Sequence, residues 1–197
     1  RRDTRVVHED CPLKSAEKLD ANGDGKPDVW LVRSGGKEVC RAVDLNFDGK
    51  VDGYSYFDAS GQLRRRERDY DRDGQIEEIQ VFQAGVLVEQ QRATVMAGRL
   101  DTWQIYQSGK LARTERDSDG DAIVDQWWEF KADTDKCPMI HSDIDGDGRP
   151  DLVLGTWQDR VQWWKNVGTR TAPAWQLADS ALVTLTRGSN TEHRQVR

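Results

Sequence analysis

A nine-residue phrase recurs six times along this 197-residue chain, beginning at Asp20, Asp44, Asp69, Ala93, Asp117 and Asp143. In its fullest form it reads D-x-D/N-x-D-G-x-x-D/E, and its starts lie 24, 25, 24, 24 and 26 residues apart. A fixed period of this length marks a tandem repeat, in which each unit buries its apolar side only against its neighbours. Five copies keep their acids and one has lost them. The phrase therefore constrains the fold and the chemistry together.

Numbering each phrase from 1 to 9, the oxygen-bearing side chains fall at positions 1, 3, 5 and 9. Loop 1 has Asp20, Asn22, Asp24 and Asp28; loop 2 has Asp44, Asn46, Asp48 and Asp52. Loop 3 has Asp69, Asp71, Asp73 and Glu77; loop 5 has Asp117, Asp119, Asp121 and Asp125; loop 6 has Asp143, Asp145, Asp147 and Asp151. Alternate positions on a tightly curled backbone aim oxygens inward, and Gly at position 6 permits the sharp turn, although loop 5 has Ala122 there. The carbonyl of position 7 adds a candidate ligand: Lys26, Lys50, Gln75, Ile123 and Arg149. These are donor sets for a hard cation, read as Ca²⁺, with up to five sites. A helix–loop–helix hand wants a Glu at position 12. Position 12 here is Leu31, Ser55, Gln80, Trp128 or Leu154, so the loops are expected to be compact corners between strands. With few protein ligands, the expected affinity is modest, on the order of 10⁻⁴–10⁻³ M as in extracellular modules.

The charge distribution agrees. The net charge is −6, but the five intact phrases hold 18 of the 35 acids, leaving 17 other acids against the chain's 29 Lys and Arg. Repulsion among three or four carboxylates in one turn, repeated five times, favours a counter-ion over merely solvated turns. Loop 4 (Ala93, Val95, Ala97, Gly98, Arg99, Asp101) keeps the Gly and the last acid without ligands at 1, 3 and 5. It reads as a corner that survives without metal.

Between the loops, Trp30, Tyr54, Ile79, Trp103 and Trp127 occupy one column, and Val32, Tyr56, Val81, Ile105 and Glu129 lie two positions on. Period-two alternation predicts strands. Turns follow at Ser34-Gly35-Gly36, Ala59-Ser60-Gly61, Ala84-Gly85 and Ser108-Gly109, then a second strand such as 62–68 or 110–116. The fold class is thus all-β: tandem antiparallel hairpins forming a meander over residues 1–142, with a glycine turn at one end of each hairpin and a metal loop at the other. One face is expected to carry the aromatic and Leu columns as core, the other Arg, Gln and Glu. Glu67 and Glu115 are expected to be cross-strand partners of Arg.

Residues 143–176 differ. The loop now feeds Leu152-Val153-Leu154 and Gly155, followed by Val161-Gln162-Trp163-Trp164 and a turn at Asn166-Val167-Gly168-Thr169. The motif D-x-D-G-D-G-x-x-D-L at 143–152, with Gly155, Asn166, Gly168 and Pro173, resembles a blade of the FG-GAP/VCBS repeat family. That resemblance implies a calcium-loaded blade of the kind that builds β-propellers in cell-surface and secreted proteins. The earlier, shorter units look like tandem hairpin repeats of bacterial surface lipoproteins. One blade cannot close a propeller, so the chain is truncated, pairs with another chain, or carries the blade (143–186) as an added hairpin. The tail 187–197 reads as disordered.

Function classes narrow accordingly. His8, His141 and His193 are scattered, and no nucleophile–base pair is suggested, so no enzyme is expected. There is no apolar run of membrane-span length, and the one run of bases, Arg64-Arg65-Arg66, falls in a predicted strand, which argues against nucleic acid. The chain opens on Arg1-Arg2-Asp3 without a signal peptide and reads as a mature or trimmed form. Three cysteines show no zinc spacing; Cys11 and Cys40 would tie down the N-terminal edge as a disulfide in an oxidising compartment, or remain two buried thiols, with Cys137 left over. The expectation is a secreted, periplasmic or cell-surface module, calcium-stabilised and structural or adhesive, belonging to a larger assembly with a protein partner. Its alternative is a calcium-dependent recognition module for a glycan or a protein.

Overall fold

Eleven of the strands lie side by side in chain order, as the period demands. The computed structural model describes residues 1–130, 139–155 and 161–179. The strands are β1 (Glu17–Leu19), β2 (Val29–Ser34), β3 (Lys37–Val43), β4 (Gly53–Phe57), β5 (Leu63–Arg68), β6 (Glu78–Gln83), β7 (Val86–Arg92), β8 (Thr102–Gln107), β9 (Lys110–Arg116), β10 (Gln126–Glu129) and β11 (Met139–Ser142). They form one antiparallel meander. A separate three-stranded sheet holds β12 (Leu152–Gly155), β13 (Val161–Asn166) and β14 (Trp175–Asp179). The protein is all-β: among the described residues the only helical element is a three-residue 3₁₀ turn at Leu13–Ser15. No described helix is long and apolar enough to cross a membrane. The tail 187–197 and Cys137 lie outside the described residues.

The two ends of the hairpins differ as their chemistry requires. Three turns place two consecutive residues at positive φ: Gly35 and Gly36, Ala84 and Gly85, Ser108 and Gly109. These are the mirror-image turns whose twist matches that of paired strands. The turn at 58–62 carries one more residue, and the Asp58 carboxylate accepts the Ser60 and Gln62 N–H groups there. Each of these four hairpins also has a bulge at the same place, leaving Val39, Arg64, Val88 and Ala112 unopposed.

That bulge corrects the expected sorting of faces. Cross-strand register runs Trp30, Ala42, Tyr54, Glu67, Ile79, Gln91, Trp103, Glu115 and Trp127 in one column. The aromatic column is core, with Ile79, Trp103 and Trp127 buried, but Glu67, Gln91 and Glu115 share its face. The Leu column lies on the other side: Leu63, Leu87 and Leu111 pair with Phe57, Phe82 and Tyr106. Because successive side chains alternate across a sheet, those six residues oppose the Tyr54/Ile79/Trp103 side. Arg41 and Arg66 stack over Phe57 and Phe82.

The acids of the aromatic face explain themselves through a segment that the repeat pattern does not announce. Residues 2–11 cross the sheet as an extended strap, from the loop 5 corner back to β3. Arg2 N–H donates to the Ala122 carbonyl, Leu100 N–H donates to the Thr4 carbonyl, and Arg5 bridges to Arg99. Nine residues of extended chain reach roughly 30 Å, about the width of six or seven strands at ~4.8 Å spacing. Val6 packs on the Ile76/Ile79/Leu100/Trp103 cluster, and a Cys11–Cys40 disulfide joins the strap's far end to β3 beside Val32 and Tyr56. Glu67 is fully buried and accepts from His8 Nδ1 (2.6 Å), Arg65 Nε (2.6 Å) and Glu9 N–H (3.1 Å). Glu115 accepts from Arg2 Nε (2.7 Å) and pairs with Arg113. These acids therefore pair with bases of the strap and of their own strand, two residues back. They form no ion pair with a base of a neighbouring strand among the described residues, because the residues opposite them are Tyr54, Ile79, Trp103 and Trp127.

Candidate metal centres

All six nine-residue loops lie along one edge of the meander, and backbone hydrogen bonds fix both their closure and their stacking. Within each loop, the position-9 N–H donates to the carbonyl just before position 1, as from Asp28 to Leu19 and from Asp125 to Arg116. Between loops, the position-1 N–H of one donates to the position-9 carbonyl of the one before: Asp44 to Asp28, Asp69 to Asp52, Ala93 to Glu77, Asp117 to Asp101, Asp143 to Asp125. Two strands separate neighbouring loops, so candidate sites follow one another at roughly 9.5 Å.

The side chains repeat one template. In loop 1, Asp20 accepts the N–H groups of Gly23 (2.6 Å) and Gly25 (2.8 Å), Asn22 accepts that of Asp24, Asp24 that of Lys26, and Asp28 those of Ala21 and Asn22. In loop 2, Asp44 accepts from Phe47 and Gly49, Asn46 from Asp48, Asp48 from Lys50, and Asp52 from Leu45 and Asn46. In loop 3, Asp69 accepts from Arg72 and Gly74, Asp71 from Asp73, Asp73 from Gln75, and Glu77 from Tyr70. In loop 5, Asp117 accepts from Gly120 and Ala122, Asp119 from Asp121, Asp121 from Ile123, and Asp125 from Ser118. In loop 6, Asp143 accepts from Gly146 and Gly148, Asp147 from Arg149, and Asp151 from Ile144. The position-7 residues thus enter the template through their N–H groups.

This geometry uses two left-handed residues per loop. Position 6 was legible from its Gly. Position 4 was not: Gly23, Phe47, Arg72, Gly120 and Gly146 all have positive φ. The signal was the Gly that three of the five loops place there.

Carboxylate oxygens converge within 4.8 Å of one another in three loops: Asp69, Asp71, Asp73 and Glu77 in loop 3; Asp117, Asp119 and Asp125 in loop 5; Asp143, Asp145 and Asp151 in loop 6. In loops 1 and 2 an Asn amide oxygen takes one of the four places. The donors are all oxygen, as a hard cation requires, with no thiol or imidazole among them. The electrostatics differ between loops. In loop 1, the Gly25 N–H, with Gly23 and others, holds Asp20 below the usual carboxylate range. In loop 3, burial pushes the Glu77 carboxyl up, and the charges of Asp69, Asp71 and Asp73 push the same way. In loop 6, burial pushes Asp143 up, with Asp147 adding to it. Loop 3 thus carries negative charge that its own N–H groups do not fully offset, and a bound cation would offset it, whereas in loop 6 Arg149, with Lys165, holds Asp147 below the usual carboxylate range.

Loop 4 keeps the corner by other means. Asp101 accepts the N–H groups of Thr94, Val95 and Met96 and the hydroxyls of Thr94 and Thr102. Burial pushes its carboxyl up, but those donors more than offset this and hold it below its ordinary value.

No protein-family model matches the chain, and no curated protein matches it. A solved structure described as accessory secretory protein 1, 2 and 3 in Streptococcus pneumoniae contains a similar chain at 19% identity and a TM-score of 0.34. The match covers 66% of this chain and 22% of that one, a likeness too slight to carry an argument.

Proposed function

We propose that the chain is a non-enzymatic, calcium-stabilised structural or adhesion module that works outside the cytoplasm as part of a larger assembly. The carrying observation is the row of loops that share one hydrogen-bond template and direct oxygen donors inward. Ca²⁺ suits flexible all-oxygen loops of this kind better than Mg²⁺, which demands near-ideal octahedral geometry. Millimolar calcium outside cells fills sites of modest affinity, and the Cys11–Cys40 disulfide is a bond of oxidising compartments. On this reading the three-stranded sheet is a blade of a surface protein, as the resemblance of residues 143–176 to the FG-GAP/VCBS repeat implies.

The test is thermal unfolding with calcium and with excess EDTA. At 2 mM calcium and a Kd of roughly 10⁻⁴–10⁻³ M, each site adds about 0.6–1.8 kcal/mol. Five sites together add about 3–9 kcal/mol, equivalent to a Tm shift on the order of 10–30 °C. A melt unchanged by EDTA rejects the proposal.

A second reading, calcium-dependent recognition of a glycan or a protein, is favoured by one observation. The small sheet exposes Leu154, Trp175 and Leu177 on one face and Val153 on the other, all more than 40% accessible, and exposed apolar side chains grouped on one face suit a binding surface. Glycan-array binding in millimolar calcium that EDTA abolishes supports this reading over a purely structural one.

A further inference from the structure

The five acidic loops differ in how much positive charge the protein itself brings to them. Loops 1 and 3 have no basic side chain in ion-pair contact with their carboxylates among the described residues. Loops 2 and 5 have one distant partner each, Arg72 at 3.9 Å from Asp52 and Arg99 at 3.6 Å from Asp117. Loop 6 has two close ones. Arg149 pairs with Asp147, and Lys165 Nζ pairs with Asp145 while lying 3.4 Å from Asp147.

Lys165 is not part of the loop. It stands on β13, and that strand and the turn after it grip loop 6 at several points. Trp163 Nε1 donates to Asp151 Oδ2 (2.9 Å), Asn166 N–H donates to Asp151 Oδ1 (2.9 Å), and Arg149 Nη1 donates to the Gly168 carbonyl (3.1 Å). Asp145 is one of the three carboxylates whose oxygens converge in this loop, so the ammonium of Lys165 and a divalent ion claim the same oxygens.

We propose that Lys165 is an internal counter-cation that makes loop 6 the last of the five loops to take calcium. The proposal rests on the calcium reading above. When the ion enters, Lys165 leaves Asp145 while Trp163 and Asn166 stay on Asp151. Filling of this one loop is thereby coupled to how β13, and with it the three-stranded sheet, is held at the end of the row. Loop 3 is the opposite case, with four converging acids and no competing base, and it fills first.

Amide ¹H–¹⁵N spectra of the full chain, titrated with Ca²⁺, read the loops separately. The Gly74 N–H is bonded to Asp69 and reports loop 3; the Gly148 N–H is bonded to Asp143 and reports loop 6. In the wild type the Gly148 midpoint lies at higher calcium than the Gly74 midpoint. In Lys165→Met it falls by about fivefold, the worth of one partly exposed ion pair, and Gly74 does not move. Lys165→Arg, which keeps the charge, stays near the wild type. An unchanged Gly74 midpoint also shows that the variant is folded. Coincident midpoints in the wild type, or a Gly148 midpoint unmoved by Lys165→Met, overturn the role of Lys165 and leave the calcium reading standing. If no loop glycine responds to calcium, the calcium reading fails, and this inference with it.

Discussion

Glu67 is where the strap and the sheet hold one another, and Glu67→Ala measures how strongly. Its carboxylate is fully buried and has partners of four kinds: a strap imidazole, a strap N–H, a guanidinium of its own strand and, at 3.4 Å, the Tyr56 hydroxyl of the neighbouring strand. Breaking a buried ion pair by removing one partner costs about 3–5 kcal/mol, because the other charge is left without compensation. Two features put this case at the lower end. The His8 side chain is 45% exposed and recovers water, and Arg65 lies 4.0 Å from Glu9, which can take over part of its charge. The expected loss is about 3 kcal/mol, or a Tm lower by roughly 6–12 °C for a chain of this size. Glu67→Gln keeps the volume and an acceptor for the Glu9 N–H and should lose about 1–2 kcal/mol. Urea unfolding followed by tryptophan fluorescence gives both values. Glu67 sits on the sheet face and not in a loop, so the loss should be the same with calcium and with EDTA. A loss below about 0.5 kcal/mol, or one seen only when calcium is present, would refute the strap as a stabilising element.

Other consequences are local and separable. Ala122 occupies the left-handed position that Gly takes in the other loops (φ 70°), so Ala122→Gly should stabilise by about 1 kcal/mol in urea melts, against the usual penalty for Gly. Cys11 and Cys40 are 29 residues apart, and replacing both with Ser should cost about 3.5 kcal/mol by loop-closure entropy, read as a lower urea midpoint with a steeper slope, since the uncross-linked unfolded chain exposes more surface. The Asp101 carboxyl is held below its unfolded value of ~3.9. Its contribution is therefore present above that pH and lost as pH falls through the folded value. Acid titration in EDTA should show Asp101→Asn with a flatter loss of stability below pH ~4 than the wild type.

Much of this molecule is written in its period. The order of the strands, the edge that carries the loops and the edge that carries the turns all follow from a spacing of 24 to 26 residues between chemically distinct corners. The candidate ligands were legible because each must be an oxygen-bearing side chain at a set position. The unread parts are those that no fixed residue type announces. The bulges at Val39, Arg64, Val88 and Ala112 share a location but no single residue type, and by shifting register they send Leu63, Leu87 and Leu111 to the face opposite the aromatic column. The strap occurs once, so no period betrays it. Its acidic receptors Glu67 and Glu115 looked like ordinary strand acids, because only the tertiary contact with His8, Glu9 and Arg2 distinguishes them.

Loop 4 separates what shapes a corner from what a cation does for it. It has no oxygen ligand at positions 1, 3 or 5, yet it closes with the same Asp101-to-Arg92 hydrogen bond and passes the same bond on from Asp117. What remains is the position-9 acid, which in every loop gathers N–H groups from the first turn of the phrase. Asp101 does this with three N–H groups and two hydroxyls, where Asp28 and Asp52 use two N–H groups each. The corner is therefore a property of the backbone and of one carboxylate. The acids at positions 1, 3 and 5 add hydrogen bonds, but they also add mutual repulsion, about 1 kcal/mol per pair at 4 Å in water and about 4 kcal/mol at the effective dielectric of a protein surface. Loop 4 avoids that cost by omitting them. In the other five loops the charge remains, stacked at ~9.5 Å intervals along one edge except across loop 4, where the interval doubles. On the proposed function, calcium serves to remove this repulsion from a corner already formed, so its withdrawal should loosen the row of loops while leaving loop 4 intact.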